Sequence, residues 1–337
     1  MKIERHGDVF AYVFENDGLE VELLGYGASL RALRAPDRRG DPGPVALALG
    51  SVDAYRGDQP AFGATVGRFA NRIAGARFEL AGDEVRVTAN HGRHHLHGGT
   101  LGFGRRLWRG EPFEEGGDVG VRFHLTSPDG EEGYPGTVEV TSTYRLRPGG
   151  ELVLEHVATA DRTTVVNLTH HGYFHLGDGG ATTVEDHEIE IAADAVVEID
   201  DEGIPTGRLA PVAGGPLDLR RAARIGDRLP ALEPSRGGFD HCYVLGSGPR
   251  AARVVDPASG RSLEIETTQP GLQLYTGNFL DGRLAGPGGI AYGRWHALCL
   301  EPQGFPDAPN HPGFPSATLE PGDTYRHESL FRFGVES

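Results

Sequence analysis

Glycine and proline, 51 and 23 of the 337 residues, are scattered along the whole chain, and this limits more than any other feature what it can fold into. Short β-branched and apolar stretches lie between them, the pattern of many turns joining short strands. From Val9 to Leu33 such stretches alternate with Asn16-Asp17-Gly18 and Gly25-Tyr26-Gly27. Arg34 to Pro44 reads as a loop, and Phe78-Glu79-Leu80 and Val85-Arg86-Val87 flank a turn as a hairpin would. Val138, Val140, Ser142, Tyr144 and Leu146 share one face of a period-two pattern, with Glu139, Thr141, Thr143 and Arg145 on the other. Arg147-Pro148-Gly149-Gly150 then turns the chain into Glu151–Val157. Helical spacing is plausible only over Leu217–Leu229, through Leu219, Ala222 and Ile225. These readings predict an all-β, antiparallel fold with few short helices, and a chain of this length can bury roughly three quarters of its unfolded surface.

A net charge of −16 argues against a nucleic-acid partner, because phosphate binding needs clustered Lys and Arg. A small or neutral substrate is the expectation. Cys242 and Cys299 are the only cysteines, too few for a disulfide framework or a four-cysteine metal site, and they suit a reducing cytoplasm. Residues 1–10 lack a signal-type apolar run, and no stretch approaches 18 apolar residues, so neither secretion nor a membrane span is expected.

The stretch Thr163-Thr164-Val165-Val166-Asn167-Leu168-Thr169-His170-His171-Gly172-Tyr173-Phe174-His175-Leu176 begins as a buried strand and breaks into polar, aromatic and histidine-rich sequence. Adjacent side chains on extended backbone point to opposite faces, so His170 and His171 cannot both look into one pocket unless the backbone bulges. One of them is a site candidate; the sequence assigns no role to the other, or to His175. Within Gly63–Ala74, Asn71 and Arg72 set an amide beside a fork of fixed donors, suited to hydroxyls or a carboxylate, although an arginine there could equally pin a loop through carbonyls. Asn90–Gly99 holds four of the 15 histidines. His95-x-His97 could place two imidazoles on one face, but the third ligand is missing, and no metal is expected. His97, before two glycines, reads instead as a donor at the lip of a cleft. Gly102-Phe103 and Trp108 offer a sugar platform or plain core aromatics. Asp240 is an isolated carboxylate, Gln273 lies in a strand ending in amides, and an apolar strand from Trp295 to Leu300 delivers Glu301. Pro302 favours extended backbone there, and a carboxylate ending a buried strand is costly unless it has partners or a task.

Taken together, Gly67-Arg68-Phe69-Ala70-Asn71-Arg72-Ile73-Ala74, Leu96-His97-Gly98-Gly99 with Gly102-Phe103 and Trp108, Asn167-Leu168-Thr169-x-His171, Phe239-Asp240-His241, Gln269-Pro270-Gly271-x-Gln273-x-Tyr275-Thr276-Gly277-Asn278-Phe279-Leu280-Asp281-Gly282 and Cys299-Leu300-Glu301-x-Gln303 resemble the aldose 1-epimerases, or galactose mutarotases. The likeness runs from about Gly25 to Phe333. It implies one large antiparallel β-sandwich domain of the galactose mutarotase type over residues 1–337. It also implies an enzyme that interconverts the α and β anomers of free aldohexoses such as galactose and glucose without cofactor or metal; the expected setting is the cytoplasm, as a monomer or homodimer, a choice the sequence leaves open. Matched position by position, Glu301 falls on the family's general base and His171 on its general acid, with Asn71, Arg72, His97, Asp240 and Gln273 on substrate contacts. The chain departs from the family pattern at His170, Gly172 and His175, at Cys242, where asparagine is common, and at Pro302, where threonine is. The chemistry agrees: mutarotation needs one base at the C1 hydroxyl and one acid at the ring oxygen, here expected on opposite sides of the sugar ring. Alternative readings are an epimerase of a phosphorylated hexose, a non-catalytic sugar-binding sandwich, and a glycosidase using Asp240 and Glu301.

Overall fold

A computed structural model describes residues 1–248 and 250–336. Three antiparallel sheets dominate it. The largest orders nine strands as Arg109–Glu115, Asp118–Ser127, Val138–Arg147, Glu151–Ala160, Tyr325–Val335, Arg261–Thr267, Arg250–Val255, Glu188–Ile191 and Ala223–Arg224. A six-stranded sheet runs Tyr173–Phe174, Leu298–Gln303, Gly271–Tyr275, Asp240–Val244, Ala195–Ile199 and Pro205–Pro211, and a five-stranded meander covers residues 2–44. One apolar cluster draws Leu23 and Leu33 from the meander, Val121, Tyr144, Leu154 and Phe331 from the large sheet, and Leu272, Leu274, Leu298 and Leu300 from the six-stranded sheet. Sheets facing each other across a shared core make the architecture an all-β sandwich.

Period two explains how that core also makes a site. In the six-stranded sheet Leu272, Leu274, Leu298 and Leu300 enter the core, so Gln273, Tyr275, Cys299 and Glu301 must face the other way. The register pairs Gln273 with Glu301, Asp240 with Tyr275 and Cys242 with Gln273. Pro302 sits opposite Leu272 in extended backbone, as its sequence position leads one to expect. The pattern at Val138–Arg147 is likewise as read, with Val138, Val140, Tyr144 and Leu146 in the core.

Two local readings are corrected. Arg34–Pro44 is a hairpin: Ser29–Pro36 pairs with Pro42–Pro44 around a turn at 37–41, where Asp37 Oδ1 accepts from the backbone N–H groups of Arg39 and Asp41 at 2.8 and 3.1 Å. Prolines suit an edge strand, which need not donate outward. Leu217–Leu229 is not an α-helix, which begins only at its last residue. Asp218 Oδ2 accepts from Gly214 N at 2.9 Å, a local bond that competes with helix, and the segment continues through the short strand Ala223–Arg224 and a 3-10 turn, Ile225–Asp227. The α-helix among the described residues is Leu229–Arg236, starting where Pro230 can occupy the first turn without losing a hydrogen bond. None of the helices among the described residues is long and apolar enough to cross a membrane.

Candidate active site

The polar face of the six-stranded sheet floors a cavity of about 280 Å³, near the lower end for small-molecule sites. Asn71, Arg72, His97, His171, Asp240, Gln273 and Glu301 all line it, so the structure brings together the seven residues singled out by sequence. Glu301 is at the bottom, 2% exposed, while Phe279 at the mouth is 68% exposed.

Arg72 lies in, and His97 directly follows, a two-stranded ladder, Arg72–Ile73 against His95–Leu96. Asn71 holds this corner in left-handed backbone, φ 65°, which asparagine tolerates better than most residues. Its N–H donates to His97 Nδ1 at 3.2 Å, and its Oδ1 accepts from Arg72 N at 2.9 Å. Because Nδ1 accepts, the proton of the neutral His97 ring lies on Nε2. A side chain on Gly98 would come within 1.8 Å of Gly67 O, so glycine is required there. The loop-pinning arginine is Arg68: buried, it donates to the carbonyls of Ser127, Pro128, Pro135 and Gly136. Arg72 faces the cavity.

His170 and His171 separate as alternation requires. His171 stacks on Tyr173 with ring centroids 5.0 Å apart, meets His97 edge-on at 5.3 Å, and sets Nε2 3.6 Å from Glu301 Oε1. His170 points into the sandwich core among Tyr144, Phe174 and Phe331. Acid and base candidates therefore stand side by side, and the expected placement on opposite sides of a ring is corrected. O1 and O5 of a pyranose share one carbon, so neighbouring groups can reach both. His175 serves the scaffold, its Nδ1 accepting from the N–H groups of Gly177 and Asp178. Trp108 is a core aromatic, 5% exposed, packed edge-on against Phe103. Cys242 and Cys299 are buried and free.

Asp240 Oδ1 accepts from Gln273 Nε2 at 2.7 Å and Oδ2 from Arg236 at 2.8 Å, with Arg72 3.8 Å from the same oxygen. Burial opposes its charge, but Arg72 and Arg236 outweigh that and hold the carboxyl below its ordinary value. Glu301 is pushed the other way: burial first, then the Asp240 charge, raise its carboxyl well above the usual range, against Arg72. Burial lowers the His171 imidazolium to about 4 and drives that of His97 well below its ordinary value. Among the described residues no group of three or more His, Cys, Asp or Glu side chains is placed to hold a metal.

Sequence reasoning missed Asn90, His91, Tyr173 and Phe279 on the cavity wall, and Arg236 behind Asp240. Phe279 and Tyr275 lie in a run quoted for its motif, where only Gln273 was given a role. Arg236 carried no signal, because a lone arginine before Gly237-Gly238 has no pattern until the chain folds back.

A sandwich whose cavity sets a buried carboxyl beside an imidazole among hydrogen-bonding side chains has the make-up of an acid–base enzyme for a small polar molecule. The aldose 1-epimerase family model matches residues 11–332. Galactose mutarotase of Mus musculus is 45% identical over 332 residues, covering 98% of this chain and 95% of its own; aldose 1-epimerase of Escherichia coli K12 is 37% identical over 330 residues, covering 95% and 94%. The crystal structure of a GalM/aldose epimerase homologue from C. elegans superposes with a TM-score of 0.88 at 31% identity, covering 97% of this chain and 100% of that one. Galactose 1-epimerase from Lactobacillus acidophilus NCFM also gives 0.88, at 28% identity over 100% and 98%. The chain belongs to the aldose 1-epimerase family and is an enzyme of the epimerase class.

Proposed function

We propose that the protein interconverts the α and β anomers of free aldohexoses, D-galactose and D-glucose among them, with Glu301 as base and His171 as acid. One observation carries the assignment of roles: the 3.6 Å approach of His171 Nε2 to Glu301 Oε1 at the cavity floor. Glu301 takes the proton of the C1 hydroxyl, the O1 electron pair forms the C1 carbonyl, the C1–O5 bond breaks, and O5 takes a proton from His171. The aldehyde turns about C1–C2 and closes on its other face with the transfers reversed. Arg72 and the Nε2–H of His97 donate to sugar oxygens and stabilise charge that develops on ring opening. Asp240 and Gln273 bind hydroxyls, and Asn71 sets the corner that aims Arg72 and His97.

The raised Glu301 and lowered His171 both favour the carboxyl as the seat of a proton held between them. The reactive form has that proton on the imidazole instead. Both are isomers of one protonation state, so the pH–rate profile reports the pair and not its members. Arg72, which opposes the raised carboxyl, favours the reactive form.

A phosphorylated substrate has less support. Besides Arg72, the arginine lining the cavity is Arg105, and its guanidinium donates to the carbonyls of Gly57 and Gln59. We assign the enzyme to the cytoplasm, where its buried thiols stay reduced, acting as a monomer or homodimer. Polarimetry of freshly dissolved α-D-galactose and α-D-glucose tests the activity. Acceleration of both decays by catalytic amounts of protein is expected, and spontaneous rates with both sugars would overturn the proposal.

A further inference from the structure

Asp240 has a partner that does not face the cavity. Arg236 ends the helix Leu229–Arg236; Gly237 follows in left-handed backbone, φ 78°, and the chain folds back so that the strand beginning at Asp240 passes under the guanidinium. The Arg236 side chain is 13% exposed. Across from it, a Cβ on Gly203 would lie 2.6 Å from its NH2, so glycine at 203 keeps its place open.

The geometry points to Arg236 as a positioning residue of the epimerase reaction: it fixes the Asp240 carboxylate for sugar hydroxyls and leaves Arg72 free to bind the substrate. This rests on the function proposed above. Two anchors, Gln273 on Oδ1 and Arg236 on Oδ2, fix both the position and the rotation of the carboxylate plane, which neither fixes alone. The second effect concerns Arg72. At 3.8 Å from Oδ2 it is too far for a hydrogen bond, and Arg236 occupies the oxygen it would otherwise approach. Without Arg236, the buried Asp240 charge would draw Arg72 into a direct pair, and its N–H groups would be lost to the sugar. The charged and titrating groups that meet around Asp240 are Arg72, Arg236, His91, His171, His241 and Glu301, with Tyr173, Tyr275 and Cys299 also within reach of its charge. Arg236 is thus one of two fixed cations there, and its removal makes the site more negative.

A matched control exists in the same helix end. Arg294 donates to Gly237 O at 2.7 Å and pairs with Glu233 at 2.9 Å without touching Asp240. Wild type, Arg236→Met, Arg236→Lys and Arg294→Met should be compared by initial-rate mutarotation of α-D-galactose across pH. Arg236→Met is expected to lower kcat/KM by at least about tenfold and to move both limbs of the pH profile upward, because a nearby cation is gone. Arg236→Lys should recover part of both, and Arg294→Met should stay within about twofold of wild type. If the methionine chain does not fold, Arg236→Gln carries the same comparison. Any one of four results overturns the inference: unchanged kcat/KM, a loss that Arg294→Met reproduces, an unmoved pH profile, or a lysine variant no better than methionine. An inactive wild type defeats the proposed function itself, and that outcome is distinct from all four.

Discussion

The neighbouring histidines of the central stretch are expected to fail differently when replaced, and His170 gives the sharper test. It is 2% exposed, ringed by Tyr144, Phe174 and Phe331, and neither ring nitrogen makes a hydrogen bond among the described residues. Burial holds its imidazolium near 3, so the folded chain keeps it neutral at pH 5, whereas the unfolded chain protonates it below its ordinary value of about 6.5. Its folded value is the lower one, so stability is full above about pH 6.5 and is lost as pH falls toward the folded value. A proton equilibrium displaced tenfold is worth about 1.36 kcal/mol, so protonation favours the unfolded state by about 2 kcal/mol at pH 5 and about 0.2 kcal/mol at pH 7. Replacing His170 by leucine removes this term and changes packing by an amount independent of pH. The stability difference between His170→Leu and wild type, from urea denaturation, should therefore shift by about 2 kcal/mol in the variant's favour between pH 7 and pH 5. The nearby His156, lowered to about 4, is present in both chains and cancels. Mutarotation should survive the substitution, because His170 does not reach the cavity. A stability difference that stays constant with pH would refute the buried neutral assignment, and loss of activity in a folded variant would refute the division of labour between the two histidines.

Glu301→Gln and His171→Asn should each slow mutarotation by at least about 10²-fold in a chain that still folds, as checked by circular dichroism; near-native rates in either variant, measured by polarimetry, remove that residue from its role. The wild-type rate should follow a bell: below about 4, where His171 takes a second proton, the pair has no base, and above the raised value of Glu301 it has no proton to give. In Asp240→Asn the charge that helps raise Glu301 is gone, so the alkaline limb of kcat/KM should move to lower pH; a limb that stays or rises would show that Asp240 does not act on Glu301 through charge. One domain over the whole chain predicts one coincident urea transition by fluorescence and far-UV circular dichroism, and two separated transitions would count against it.

What could be read in the sequence divides by the range of the physics involved. Alternation along a strand is local, so the inward face of Val138–Arg147 and the opposed directions of His170 and His171 follow from residue order alone. The seven cavity residues were reachable as a set through the resemblance to the aldose 1-epimerases; residue order alone offered less, namely one of the two adjacent histidines, a donor at His97 before its glycines, the Asn71-Arg72 pair, an isolated Asp240 and a costly carboxylate at Glu301. The helix was misplaced because Leu219, Ala222 and Ile225 have helical spacing, yet Asp218 binds its own backbone first; a side-chain acceptor within a turn can outweigh periodicity.

Longer range decided the rest. That Glu301 and His171 are adjacent follows from two pairings: Tyr173 with Cys299 places the histidine segment beside the strand of Glu301, and Thr169 with Val66 fixes how that segment enters. Neither pairing has a local signature. The consequence is chemical as well as topological. A carboxyl and an imidazole on opposite sides of a sugar would titrate nearly independently, each set by its own surroundings. At 3.6 Å each lies within the other's field, and the carboxyl is further raised by Asp240 and opposed by Arg72, which lie on two other elements. Under the proposed roles, catalytic competence is a property of four side chains from four separate segments, so a substitution at any one should move the pH limbs set by the others.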